Sequence, residues 1–556
     1  MIKYLILSGL SITIMYGQIV NIPYDWGGQY GVLSNNGRIM WNQDWKTGHL
    51  LIDGTFSNYP VRFGTAYLNN FKLLQTGQTN FTNYNFPDSS EIISRINYAR
   101  GDFSFDQLEI GAKFSETQRN ISINAFKRSY NGAYGQYNNP DGNSPLQQSY
   151  RLDYSSVTGN QAVGISVGRF LTDSRLNFND SLDFEHEEKS VAAGLSYNNR
   201  FADWDYELHG ALFQQYYEMT YAKSNNNLEA YLNRGHIAQK IQKKINNLDR
   251  LTVGISFDNQ HIALVDSTKK KRSWSTIYSG WNRSNFGVNI GGTLAKEEVN
   301  PYFKIWKKSL ISNKFNWNSY LLYEALPQHI VSWNFTNDSV SRKFMEKWFT
   351  AHADVAYNYG NIPIKLNLDW RNLDEVASTA SGENDSSAEE LSDNLISGAL
   401  TLQFPIFRDW QFEAMFRHTF EHNLYSDGIG DKIDIGLIFK ENLFKNNLLA
   451  NLRIWCEGYY NHNSVINYQG FHHGPSYNTN SITQLADYWV FNMELSTKIS
   501  QMTISWQVKN ILQTINSIND QIFTNIDDKY LLINNNHNFP PLNRFVALNI
   551  IWDFKN

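Results

Sequence analysis

His418-Thr419-Phe420-Glu421-His422 matches H-x-x-E-H, a zinc-peptidase spacing in which a helix sets two imidazoles one turn apart on a shared ion. That chemistry needs a helix. Here the run closes an alternating apolar and polar stretch, Trp410–Phe420, and in a strand four residues span about 13 Å, too far for both imidazoles to reach one metal. No Ser/His/acid or Asp/His group stands at legible spacing elsewhere, so neither an enzyme nor a cofactor is expected. His472-His473, with His462, falls in a long polar stretch and is a candidate for a metal or metal complex at an outer surface, against the plainer reading of hydrophilic loop residues. Asp374, Glu375, Glu383, Asp385, Glu389 and Glu390 would concentrate cations or simply solvate a loop. Lys269-Lys270-Lys271-Arg272 is either a contact for anionic lipopolysaccharide or a solvated charge run.

The elements that must position such residues are strands. In Tyr488–Lys498, Trp489, Phe491, Met493 and Leu495 alternate with Val490, Asn492, Glu494 and Ser496. Met502, Ile504, Trp506 and Val508 alternate with Thr503, Ser505, Gln507 and Lys509, and Val546, Leu548, Ile550, Trp552 and Phe554 with Ala547, Asn549, Ile551 and Asp553. Period two gives each strand one apolar and one wet face. The pattern recurs along nearly the whole chain, which ends on an aromatic-terminated strand, as transmembrane barrels do. If the apolar residues face lipid, then Glu413, Arg417, Asp434, Lys440, Arg453, Glu457, Glu494, Lys498 and Lys509 face a lumen of mixed charge. Mixed charge implies no steep ion selectivity, and either a wet channel or a wall that holds a plug.

Composition agrees with this reading. Of 556 residues 15% are aromatic, as girdles at two membrane interfaces require, while the mean hydropathy of −0.47 reflects polar loops and lumen. After the N-terminus no apolar run is long enough for a membrane helix, so a spanning chain must span as a barrel. A net charge of −5 leaves no broad basic surface and excludes nucleic acid as a partner. The single cysteine, Cys456, forms no internal disulfide.

Residues 1–17 read as an export signal, with Lys3, the apolar run Tyr4–Ile14 and a cut after Gly17; a buried strand is the alternative. Residues 18–89 alternate weakly and form a separate N-terminal segment. Residues 90–556 form an all-β, antiparallel up-and-down barrel of about 22 strands. The strands are expected to start near residues 90, 104, 118, 146, 160, 187, 202, 229, 249, 272, 285, 299, 312, 345, 361, 392, 407, 430, 446, 486, 501 and 543. Tight connections, such as Tyr359–Asn361 and Ile499–Gln501, interleave with long ones, such as Tyr130–Pro145 and Asn461–Leu485. Short turns at one end and long loops at the other are the pattern of outer-membrane barrels.

Asp487-Tyr488-Trp489, Val508-Lys509-Asn510-Ile511-Leu512 and Asn543-Arg544-Phe545 running to Trp552-Asp553-Phe554 resemble the closing strands of TonB-dependent receptors. Leu50-Leu51-Ile52-Asp53-Gly54 is similar to a strand of that family's plug, and Ile92–Gly101 to its first barrel strand. Such receptors carry a larger plug and a TonB-contact box than residues 18–89 provide, so the resemblance implies a reduced plug. It implies solute passage across the bacterial outer membrane: passive or loop-gated and porin-like, or energised by TonB through a reduced or separate plug. A surface-binding or structural barrel with a closed lumen is the third reading. The expected partners are outer-membrane lipid and lipopolysaccharide, the barrel-assembly machinery through the C-terminal strand, and a small solute. TonB, a separate plug or a surface lipoprotein would join them under the energised reading.

Overall fold

Strands with one wet and one apolar face can bury neither backbone edge unless the sheet closes, and the computed structural model closes 22 of them into one antiparallel barrel. The structure describes residues 19–22, 32–35 and 38–41 and, between 89 and 555, the barrel strands and their tight turns. Residues 1–18, 23–31, 36–37 and 42–88 lie outside the described residues. So do most of 132–145 and the stretches 180–181, 222–226, 265–268, 328–344, 378–389, 423–430, 465–482 and 514–543, with a few single positions including 462. The export signal, Leu50–Gly54, His462, His472, His473 and most of the acidic stretch therefore fall outside the described residues.

Each barrel strand pairs with the next in sequence, from Glu91–Gly101 to Phe545–Lys555, and the last pairs with the first. The expected starts lie within three residues of the observed ones except one: the strand expected from 187 begins at Leu182. Its early part, Leu182-Asp183-Phe184-Glu185-His186-Glu187, carries so many charges that its apolar period is lost. Three further short strands, Ile19–Ile22, Val32–Asn35 and Arg38–Trp41, form a separate antiparallel sheet. The third of them runs near barrel strands Leu146–Thr158, Gln161–Asn179 and Leu182–Phe201.

The distribution of polarity is inverted relative to a water-soluble protein. Leu212 is 65% exposed, Ile290 62% and Val253 58%, whereas Gln260 is 2%, Asn492 1% and Ser196 0% exposed. In strand Asp249–Leu264 the exposed residues Leu251, Val253, Ile255 and Phe257 alternate with buried Thr252, Asp258 and Gln260. An outward apolar belt of this kind is what hydrocarbon covers. Exposed aromatics gather near the short turns, among them Phe201, Trp204, Trp281, Tyr359, Phe407 and Trp552, as an interfacial girdle.

Hairpins such as Phe201–Trp204, Tyr359–Ile362 and Ile499–Met502 stand at one end together with Glu91 and Lys555, while the long connections stand at the other. Strand lengths are unequal. The four strands from Gln161 to Lys244 have 18 to 20 residues, but Phe286–Ala295 has 10.

The closing seam runs from Ala547↔Gly101 to Lys555↔Ile93. At the short-turn end Lys555 Nζ lies 2.5 Å from Glu91 Oε1. At the far end the Val546 amide donates to Asp102 Oδ2 at 3.1 Å, and buried Phe105, Tyr130 and Phe545 pack edge to face, with Phe105 and Phe545 centroids 5.0 Å apart. Gly101 sits where a Cβ would meet the Val546 carbonyl oxygen at 2.5 Å and Ala547 Cβ at 3.0 Å.

We expect Gly101→Val to destabilise closure by about 1–3 kcal/mol through overpacking, read as loss of the folded, faster-migrating band in unheated detergent gels. Leu212→Arg, on the lipid face, should cost about 2–4 kcal/mol in reversible denaturant unfolding from lipid vesicles. An unchanged transition would mean that Leu212 does not face lipid.

Candidate functional site

The side of the wall opposite the apolar belt carries the chemistry. On strand Trp410–His422 the exposed residues are Phe416 and Phe420, so Glu413 and Arg417 stand on the other face. On Asp431–Leu443 exposed Ile435 and Leu437 leave Lys432, Asp434 and Lys440 opposite, and on Leu448–Tyr460 exposed Ile454 leaves Arg453, Trp455, Glu457 and Tyr459. Glu494 and Lys498 share the face opposite Leu495, and Lys509 the face opposite Trp506.

Register brings several of these together. Asp434 and Glu457 lie directly across from each other, two carboxylates that would repel. Lys432 Nζ stands between them, 3.3 Å from Asp434 Oδ2 and 3.4 Å from Glu457 Oε2, and 5.3 Å from the Tyr459 ring centroid. Buried Glu457 accepts three further bonds: from Trp455 Nε1 at 2.9 Å, Tyr459 Oη at 2.8 Å and Asn492 Nδ2 at 3.2 Å. Asn492 passes the network on, accepting the Asn510 amide at 3.2 Å, and Tyr459 stacks on Tyr488 with centroids 4.7 Å apart.

Arg453 Nε donates to Glu413 Oε1 at 2.7 Å, although an entire strand lies between theirs. Gly436 makes that reach possible: a Cβ there would stand 2.8 Å from Glu413 Oε1 and 3.2 Å from Trp455 Cβ. The bridge lies flat on the wall. Glu494 is held more loosely, accepting from Gln507 Nε2 at 3.3 Å. Arg417 is buried opposite Lys432, while Lys440 and Lys498 are exposed towards the short-turn end.

A second polar group stands a few strands further round the same wall, where the charge pattern of the sequence does not mark it. His352 Nδ1 lies 2.6 Å from Asp369 Oδ1 and its Nε2 2.8 Å from Asp354 Oδ2, while its ring stacks on Tyr320 with centroids 5.1 Å apart. Lys304 lies over the Tyr320 ring, and Tyr302 and Trp306 pack against Tyr320 and Leu322. The alternation of Trp348, Thr350, His352 and Asp354 with Phe349, Ala351, Ala353 and Val355 was the available signal, but its polar face contains an aromatic and looks weaker than it is. Further along, Lys240 bridges to Glu207 at 2.9 Å and His236 to Asp258 at 3.0 Å.

His418, from the H-x-x-E-H run, is on a strand and on the same face as Phe416 and Phe420; its Nδ1 meets Asp431 Oδ1 at 2.6 Å. Among the described residues no group of three or more His, Cys, Asp or Glu side chains is placed to hold a metal ion.

No protein-family model matches the chain, and no curated protein does. Solved structures do. The FrpB iron transporter of Neisseria meningitidis (F5-1 variant) aligns over 84% of this chain and 83% of its own at 9% identity, with a TM-score of 0.64. A variant of the ferric enterobactin receptor PfeA of Pseudomonas aeruginosa aligns over 98% and 95% at 8% identity, TM-score 0.60. The copper transporter OprC aligns over 84% and 81% at 10% identity, TM-score 0.62. The fold is that of the outer-membrane receptor and transporter barrels. The barrel has the 22 strands counted from the alternation in the sequence, and the likeness agrees with the resemblance to TonB-dependent receptors.

Replacing Glu457 by Leu strands three donors and Lys432 in the wall, and should lower stability in denaturant unfolding by about 3–5 kcal/mol. Glu494→Leu, which loses one long bond, should cost under about 1 kcal/mol. Equal losses would remove the distinction between the two carboxylates.

Proposed function

We propose that this protein is an outer-membrane solute-uptake barrel whose lumen is closed at rest by the N-terminal segment 18–89 and opens on demand. One observation carries the reading. Side chains on the wet face of a 22-strand wall are too far from the opposite wall to cover one another, and barrels of this size are plugged rather than filled by their own side chains. Yet Glu207, Thr252, Gln260, Thr350, His352 and Asn492 are each at most 4% exposed. Neighbours along the wall cover part of each residue, and a body inside the lumen supplies the rest. The approach of strand Arg38–Trp41 to three barrel strands supports assigning that body to the segment 18–89.

Solute would be taken from the long-loop side and handed along a wall of both charge signs, which suits a polar solute without strong selection by charge. The barrels it resembles carry iron, ferric enterobactin and copper by name. Under this reading the segment is the point at which TonB or a separate partner would act, and the C-terminal strand Phe545–Lys555 is the one offered to the assembly machinery.

Single-channel recording in planar bilayers tests the gate. The chain beginning at Gln18 should stay closed, and the chain beginning at residue 90 should show stable open steps. Open steps from the longer chain would overturn the gate in favour of passive, porin-like diffusion. Silence from both would favour a closed barrel that works through its outer loops.

A further inference from the structure

Charge is spread unevenly around the outside wall. The chain as a whole carries −5, yet one arc at the short-turn end is basic on its lipid side. On strand Asn227–Lys244, Lys243 shares the face of exposed Ile241; on Lys269–Arg283, Arg283 shares the face of exposed Trp281. Register sets Lys243 across from Trp204, and Phe286 between Arg283 and Lys307, so all three cations lie on the outward face.

The arrangement of the two lysines is specific. Lys243 Nζ lies 5.2 Å from the Trp204 ring centroid and Lys307 Nζ 5.6 Å from that of Trp317. Exposed Lys314 extends the arc in a turn. Its carboxylates are Asp249, 3.7 Å from Arg283, and Asp203 in the neighbouring turn. Another turn cation on this rim, Arg119, is bridged by Glu116 at 2.6 Å.

We propose that Lys243, Arg283 and Lys307, with Lys314, bind the anionic phosphate headgroups of phospholipids in the leaflet at the short-turn end. In barrels of this kind that leaflet is the periplasmic one. The aromatic girdle marks the level of the headgroups. A lysine lying along a tryptophan buries its stem against the ring and lifts its ammonium to the interface, where phosphate is the abundant counter-charge. Continuity with the apolar belt points to a lipid: the cations share a face with residues that hydrocarbon covers. Lys243 and Lys307 are four strands apart, about 20 Å at the usual strand spacing, which leaves room for more than one headgroup. The inference rests on the membrane-spanning barrel and is independent of how the lumen is gated.

Native mass spectrometry of the mature chain, released from nanodiscs of phosphatidylglycerol and phosphatidylcholine in equal parts, reads the lipids retained. The wild type should keep phosphatidylglycerol over phosphatidylcholine by roughly fivefold or more. Lys243→Gln/Arg283→Gln/Lys307→Gln should abolish the preference, while Lys269→Gln/Lys271→Gln, at the opposite end, should retain it. Equal retention of the two lipids by the wild type would overturn the proposal. So would a preference that survives the triple substitution, one lost equally in both variants, or one erased by inorganic phosphate at fixed ionic strength. Failure to enter nanodiscs at all would instead overturn the membrane-spanning reading.

Discussion

A peptide group inside hydrocarbon has no water to bond, so every amide and carbonyl of the belt must find a partner within the sheet. The seam between Glu91–Gly101 and Phe545–Lys555 is where that demand is met last. Unlike the other strand junctions it joins segments at opposite ends of the sequence, so no hairpin holds it in register. Side chains do so instead. The Lys555–Glu91 contact pins one end and the Asp102 carboxylate the other, where Phe105, Tyr130 and Phe545 exclude water from the last backbone bonds. Because Glu91 and Lys555 share the short-turn end, the N-terminal segment joins the barrel at that end too.

Closure also dictates the chemistry of the interior. Once apolar side chains turn outward, every second residue is committed to the inside, and polar groups there must satisfy one another along the wall. The Glu457 network does this with donors from three strands, and Lys432 resolves the opposed carboxylates. Such a network is laid along the wall rather than across the bore, which leaves the wall relatively smooth. Gly436 is the clearest case, since its missing side chain is the space that the Arg453–Glu413 bridge occupies.

The fold was legible because its signal is local and repeated. Alternation such as Leu251, Val253, Ile255 and Phe257 against Thr252, Gly254, Ser256 and Asp258 needs no knowledge of neighbours, and strand starts follow from where it begins. The Leu182 start is not legible because charge covers both faces of the strand there. The inner-wall groups were only half legible. Parity separates Glu413, Asp434, Arg453 and Glu457 from the apolar face, but which of them meet depends on register, which no single strand encodes. Tyr459, Trp455 and Asn492 are not legible from charge because they are neutral donors, and His352 with Asp369 is not because the pair exists only across two strands. The basic arc was hidden for a similar reason: its members are scattered from 243 to 314 and meet only on the closed surface.

The unequal strand lengths cut the barrel's mouth obliquely. Strands of 18 to 20 residues between Gln161 and Lys244 rise above the 10-residue strand Phe286–Ala295 by about 20 Å at usual strand tilt. The described strands therefore form a parapet rather than a level rim. Under the proposed uptake function, a molecule drifting in over the low side would strike the inner surface of the high one and be turned downward, so that part of its three-dimensional search would become a slide along a surface. The tall side would then act as a backboard, enlarging the target without widening the hole.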